Sequence, residues 1–269
     1  MDYKGQRALV TGASSGIGAA FARELAKRGC DLVLVARSQD KLTALADELS
    51  TSLGVATYVA VGDLSRQAAV TELAAELRDR GLQVDILVNN AGFGLHALLH
   101  RADAAMLADQ IRVNIGALVD LTRCYLPDMI ERDRGAVINV GSTAGFQPVP
   151  YMAVYGATKA FVLSFTEALW AETRGTGVAV TAICPGPTDT GFFDIAGEDA
   201  VLGRRMSPER VVRTALRALD RRAPNAIPGV GNRMLANAPR FGPRRFVVRI
   251  VEHTMRPAKR GEPAETAPV

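Results

Sequence analysis

The chain has 269 residues, 48% of them apolar and 22% charged, and a formal charge of +4. That length suits one large domain with a substantial core, and that composition excludes a disordered chain or a fibrous repeat. The basic excess is uneven: residues 225–269 hold eight basic and three acidic side chains, while the first 224 sum to −1. The main body is therefore not a polyanion-binding surface by net charge, and only the C-terminal stretch has the charge for one.

In chain order, Arg7-Ala-Leu-Val-Thr11 reads as a short strand ending in Gly12, and 17–28 as a helix closed by Gly29. Asp31–Ala36 is continuously apolar after its first residue, as in a strand buried on both faces. A helix begins at Ser38, with Leu42, Leu45 and Leu49 at helical spacing. A strand over 55–61 and a helix over 65–80, ended by Gly81, complete the next unit. Residues 84–88, 136–140 and 178–184 read as three more strands. Leu107, Ile111, Leu118, Leu121 and Tyr125 mark a long helix, with Asn114 on the same stripe. After about residue 225, Pro224, Pro228, Pro239 and Pro243 interrupt the pattern. Residues 246–255 predict a short amphipathic helix, and 257–269 a disordered tail. The alternation predicts a doubly wound, Rossmann-type α/β fold: a parallel sheet with helices on both faces. No linker or repeat divides it, so residues 1–256 form one domain, with 225–256 as a C-terminal extension.

Cys30, Cys124 and Cys184 are far apart and form no Cys-x-x-Cys pair. They argue against a disulfide framework or zinc ribbon and point to a reducing, cytoplasmic setting. Residues 1–11 lack the apolar run and cleavage site of a secretory signal. The longest uncharged run, 135–158, holds four Gly and two Pro, a poor composition for a membrane helix.

Residues 11–18, Thr-Gly-Ala-Ser-Ser-Gly-Ile-Gly, lie where the first strand meets the first helix. Gly12, Gly16 and Gly18 permit positive φ and close backbone approach, and a helix start presents unpaired N–H groups to an anion. Ser14, Ser15 and Ile17 complete a loop suited to a pyrophosphate; the plain alternative is a glycine-rich turn without a ligand. No carboxylate follows the second strand, where NAD enzymes place one on the ribose. Ala36 is followed instead by Arg37, a candidate for a 2′-phosphate, or else one of many surface arginines. Asp63 and Leu64 border the adenine on one reading, and on the other Asp63 caps the next helix together with Ser65.

Tyr155 and Lys159 are four apart and share a face if helical. An ammonium beside a phenol lowers its pKa, which makes the pair a general acid and base near neutral pH. Ser142, at the end of the fifth strand, is placed to stabilise a substrate oxygen. Asn114 is either a satisfied core asparagine or a water-holding link between Lys159 and solvent.

The joint order is more specific than any member: the glycine loop, Asn89-Asn90-Ala91-Gly92, Asn114, Ser142, Tyr155, Lys159 and Pro185-Gly186. In these motifs the chain resembles the short-chain dehydrogenase/reductase family, over roughly residues 5–230. The resemblance implies Tyr155 as proton donor or acceptor and Ser142 as the group polarising the carbonyl. It implies Lys159 lowering the tyrosine pKa and holding the nicotinamide ribose, and Asn114 maintaining a proton-relay water. Asn90 would contact the cofactor ribose side, and Thr188 or Thr190 would lie near the nicotinamide amide or pyrophosphate; Ala91, Gly92, Pro185 and Gly186 are further cofactor-binding candidates. It further implies about seven strands and a homodimer or homotetramer. Members committed to NADP often carry a basic residue at the place of Ser15, so here the preference for NADP(H) over NAD(H) rests on Arg37.

Phe93, Phe146, Met152, Phe192, Phe193, Ile195, Val201 and Leu202 are candidate walls for an apolar ketone, aldehyde or secondary alcohol, or simply core. The expected activity is hydride transfer between NADP(H) and such a substrate. The alternatives are an NAD-dependent alcohol dehydrogenase and a catalytically idle NADP-binding sensor or scaffold. His96 and His100 are four apart without a third ligand, so no metal is expected. Six arginines between 233 and 256, interleaved with Phe241, Phe246, Val247, Ile250 and Val251, read as a cap on the cleft or an oligomer contact in preference to a lipid-touching helix. No motif points to nucleic acid.

Overall fold

The computed structural model describes residues 1–192 and 205–256. Among these, seven parallel strands form one sheet in the order β3-β2-β1-β4-β5-β6-β7. They are β1 (Arg7–Thr11), β2 (Asp31–Ala36), β3 (Thr57–Val61), β4 (Ile86–Asn89), β5 (Gly135–Val140), β6 (Val178–Ile183) and the two-residue β7 (Asn225–Ala226). The order reverses between β1 and β4, whose carboxyl ends open the crevice where doubly wound sheets bind ligands.

The apolar runs are continuous because both faces of the strands are covered. Ala8 and Val10 of β1 and Leu32 and Leu34 of β2 pack on one side, with α1 (Gly16–Lys27) and α2 (Gln39–Leu53). Leu9, Val33 and Val35 pack on the other, with α3 (Ala69–Asp79) and with Leu121, Tyr125 and Met129 of α5 (Leu118–Glu131). Each large side chain so buried is worth about 1.5–3 kcal/mol against exposure. Beneath the site a buried polar chain ties the strands to the helices. Asn89 Nδ2 donates to Thr122 Oγ1 and Asn139 Oδ1, and Asn139 Nδ2 donates to Thr166 Oγ1.

Two helices depart from the sequence expectation. α3 begins at Ala69, not at residue 65, because Asp63 first folds the chain into a turn: its Oδ1 accepts from Ser65 N at 3.0 Å and its carbonyl from Arg66 N. The stripe through Ile111 and Asn114 is also broken. After α4 (Ala104–Ile111), residues Arg112–Ala117 form a π-helical segment that runs into α5. The wider turn shifts the inward face by about one residue. Asn114 and Ala117 therefore face the core, and Ile111 is 47% exposed.

α6 (Ala153–Glu172) carries the Tyr-x-x-x-Lys motif and α7 (Pro208–Asp220) packs against α1 and β6. The C-terminal stretch folds as α8 (Val230–Asn237), a short turn at Ala238–Phe241 and α9 (Arg244–Met255), which starts two residues earlier than expected. Phe193, Ile195, Val201, Leu202 and the expected tail at 257–269 lie outside the described residues.

Candidate active site

The glycine loop is held open by backbone geometry and close approach. Gly12 and Gly16 have φ of 64° and 54°. A Cβ on Gly12 would fall 2.8 Å from Asn90 Nδ2, one on Gly16 2.8 Å from Thr190 Cγ2, and one on Gly18 2.1 Å from the Gly12 carbonyl oxygen. Ser15 precedes α1 without capping it through its side chain, so the first-turn N–H groups face the cleft. Thr11 stitches the crevice: its Oγ1 accepts from Asn90 N at 2.9 Å and Ala91 N at 3.0 Å, and its carbonyl accepts from Asn90 Nδ2 at 2.8 Å.

One cleft of about 610 Å³ runs from this loop to α6. Gly12, Ser14, Ser15, Gly16, Ile17, Arg37, Asp63 and Leu64 line it, as do Asn90, Ala91, Gly92, Ser142, Tyr155, Lys159, Pro185, Gly186, Thr188 and Thr190. Gly18 does not; it serves the loop from behind, by letting α1 pass against Gly12. Asp63 borders the cleft but does not cap the next helix, which starts at Ala69 without a side-chain cap; its bond from Ser65 N holds the preceding turn and keeps its carboxyl below the usual range.

Asn114 is 2% exposed and lies behind the cleft wall. Its Nδ2 donates to Phe93 O and Thr158 Oγ1, both at 3.0 Å, and its Oδ1 accepts from Phe93 N at 3.1 Å. It thereby joins the strand-β4 loop to the turn of α6 that bears the motif, because Thr158 Oγ1 in turn donates to Tyr155 O at 2.8 Å.

Ser142 precedes a short turn at Thr143–Phe146, and its Oγ accepts from Ala144 N at 3.1 Å. Gly145 lets α6 approach closely, since a Cβ there would be 2.6 Å from Lys159 O. The Ser142 hydroxyl lies near enough to the Tyr155 phenol to lower its pKa. Burial outweighs this effect and holds the phenol up at about 12. Lys159 donates from Nζ to Val140 O at 2.8 Å, and burial pulls its ammonium down to about 8. The expected lowering of the tyrosine by the lysine is not what this geometry produces. Nζ lies 5.8 Å from the Tyr155 ring centre and is engaged by a carbonyl, so desolvation governs both groups. A protonated phenol beside a serine hydroxyl is an arrangement for giving a proton to an oxygen atom placed between them.

Phe93, Met152 and Phe192 line the cleft as expected, with Phe192 tilted against Tyr155 at 5.3 Å between ring centres. Phe146 does not, and packs instead with Leu163, Ala182 and Cys184. Val251 lines the cleft, in line with the reading of its stretch as a cap, while sequence reasoning missed Gln147, Asn232, Leu235 and Met255. The four-residue spacing from Val251 is a signal that could have found Met255; Asn232 offers none. His96 engages Met255 O at 2.8 Å through Nε2, and among the described residues no cluster of three metal-ligating side chains occurs.

The model of the family described as short chain dehydrogenase matches residues 6–200. A very-long-chain 3-oxoacyl-CoA reductase of Bos taurus is 35% identical over 225 residues, covering 81% of this chain and 69% of that protein. The NADP-dependent 3-hydroxy acid dehydrogenase YdfG of Escherichia coli K12 is 42% identical over 179 residues, covering 66% and 71%. Among solved structures, a short-chain dehydrogenase from Sphingobium yanoikuyae in complex with NADPH superposes with a TM-score of 0.79 at 35% identity, covering 97% of this chain and 100% of that one. The chain belongs to the short-chain dehydrogenase/reductase family. It is an oxidoreductase acting on CH–OH groups and the corresponding carbonyls.

Proposed function

We propose that the protein reduces an apolar ketone or aldehyde, or oxidises the matching secondary alcohol, with NADP(H) as cofactor and Tyr155 as general acid and base. The observation that carries this reading is one continuous cleft with the glycine loop and Arg37 at one end and Ser142, Tyr155 and Lys159 at the other.

The residues fit a dinucleotide. Gly12 and Gly16 leave space that any Cβ would take from the loop and its neighbours, and the uncapped start of α1 offers N–H groups to a pyrophosphate. Arg37 follows the carboxyl end of β2 and lines the cleft, with no ion pair to a carboxylate among the described residues, and it suits a 2′-phosphate better than a bare hydroxyl. The NADPH held by the Sphingobium protein and the NADP dependence of YdfG support the same choice. When bound, the nicotinamide supplies or accepts the hydride at the substrate carbon.

The chain's own groups then handle the oxygen. Ser142 and Tyr155 hydrogen-bond the carbonyl oxygen, and the Tyr155 phenol gives it a proton as negative charge develops there. Lys159 holds the ribose. Asn114 positions the Tyr155 turn through Thr158 and the loop through Phe93. Phe93, Val149, Met152, Phe192 and Met255 exclude water and select apolar substrates. Use of NADPH, the cellular reductant, supports reduction as the working direction. The family resemblance supports a homo-oligomer, and three unpaired cysteines suit a cytoplasmic setting.

A panel of ketones, aldehydes and alcohols, assayed by nicotinamide absorbance with NADPH and NADH and their oxidised forms, tests the reading. Turnover of apolar carbonyls with NADPH is expected. Absence of turnover with tight cofactor binding would make the protein a sensor instead.

A further inference from the structure

The C-terminal elements wall the cleft with one face and leave the other face apolar and basic. On α9, Val247, Val251 and Met255 point inward, and Val251 and Met255 line the cleft. The opposite side of the same helix shows Arg245, Phe246, Arg249, Ile250 and His253. Phe246 is 60% exposed, Phe241 in the preceding turn 89% and Met234 of α8 70%. Arg233, Arg240 and Arg244 are exposed among them. Leu235 both lines the cleft and is 72% exposed, so the apolar rim of the cleft continues into this surface.

Phenylalanines this exposed need a partner that accepts apolar groups. The arginines between them need one that carries negative charge. Within 230–256 the single carboxylate is Glu252, and Arg256 bonds it at 3.1 Å. A second copy docking through this face would set arginine against arginine with almost no counter-charge, which disfavours self-association there. Interleaved aromatic, aliphatic and basic side chains on short helices match the boundary of an anionic bilayer, where rings enter the acyl margin and guanidinium groups meet phosphates.

We propose that α8, α9 and the turn between them dock the protein on an anionic lipid surface, with the mouth of the cleft beside Leu235 at that surface. Binding is peripheral; among the described residues no helix is long and apolar enough to cross a membrane. The arrangement lets an apolar substrate pass from lipid to the cleft with little exposure to water. The surface itself does not depend on which carbonyl is reduced.

The test is co-sedimentation of the full chain with vesicles of phosphatidylcholine alone and of equal parts phosphatidylcholine and phosphatidylglycerol. Binding is expected to the second and not the first, and to weaken as salt is raised. The variant Arg244→Gln/Arg245→Gln/Arg249→Gln should bind about 100-fold less tightly, at about fivefold per charge removed. Phe241→Ser/Phe246→Ser should bind at least about tenfold less tightly. All five positions are exposed, so both variants should keep the melting temperature and the NADPH affinity of the parent. Failure to bind anionic vesicles, or binding that ignores both sets of substitutions, would overturn the proposal. So would light scattering that shows the phenylalanine variant splitting an oligomer, since the face would then be a contact between copies.

Discussion

The Lys159 ammonium lies 5.8 Å from the centre of the Tyr155 ring and donates to the Val140 carbonyl at 2.8 Å. The two motif residues are thus neighbours on one turn of α6 with different immediate partners. Lysine answers to the main chain of β5 and tyrosine to Ser142. Their proton affinities follow from burial, which penalises the charged form of each.

That burial has a signature in stability against pH. The folded-state lysine is lowered to about 8 from its ordinary 10.5. Between those values the unfolded chain holds a proton that the folded chain has released, so stability rises with pH across the window. Tyr155 and Cys184, both pushed up to about 12, stay protonated throughout it. Relative to Lys159→Met, the parent should gain on the order of 3 kcal/mol between about pH 8 and about pH 10. Urea unfolding at several pH values reads this; parallel curves for the two proteins would deny the shift.

Arg37→Ala should weaken NADPH by about 10- to 100-fold, the worth of a charge-assisted hydrogen bond to a phosphate, and leave NADH nearly unchanged. Fluorescence titration of the two reduced cofactors checks it. An equal loss for both would remove Arg37 from the phosphate site.

Gly18→Ala should lower the melting temperature and abolish dinucleotide binding together. Its Cβ would lie 2.1 Å from Gly12 O, a backbone atom that cannot rotate away. Relief requires moving the loop or α1, at a cost of about 1–3 kcal/mol. Calorimetry with and without NADPH measures both effects.

How much was legible in the sequence depended on whether local pattern or tertiary geometry decided the outcome. Asp31–Ala36 formed a strand over the limits read from it, because a run buried on both faces needs no partner information. The cleft-lining loop residues Gly12, Ser14, Ser15, Gly16 and Ile17 and the Ser142, Tyr155 and Lys159 convergence followed from strand ends and helical spacing. The π-helical segment at Arg112–Ala117 was not legible, since a six-residue change of winding leaves the spacing of apolar residues almost intact while turning Ile111 outward. The sign of the Tyr155 shift was not legible either. Spacing shows that an amine is near, but not that a carbonyl holds it or how far solvent is excluded. Asn232 and Leu235 reach the cleft only because α8 packs against the turn at Thr143–Phe146, a long-range contact with no periodic trace.

The central claim is that the phenol of Tyr155 carries the proton. The most direct measurement is the NADPH-dependent turnover of Tyr155→Phe on the best ketone of the panel, beside its NADPH affinity. The account predicts a loss of at least about 100-fold, and up to about 10⁴-fold, in kcat with cofactor affinity retained. Turnover equal to the parent's, with cofactor bound as tightly, would contradict it.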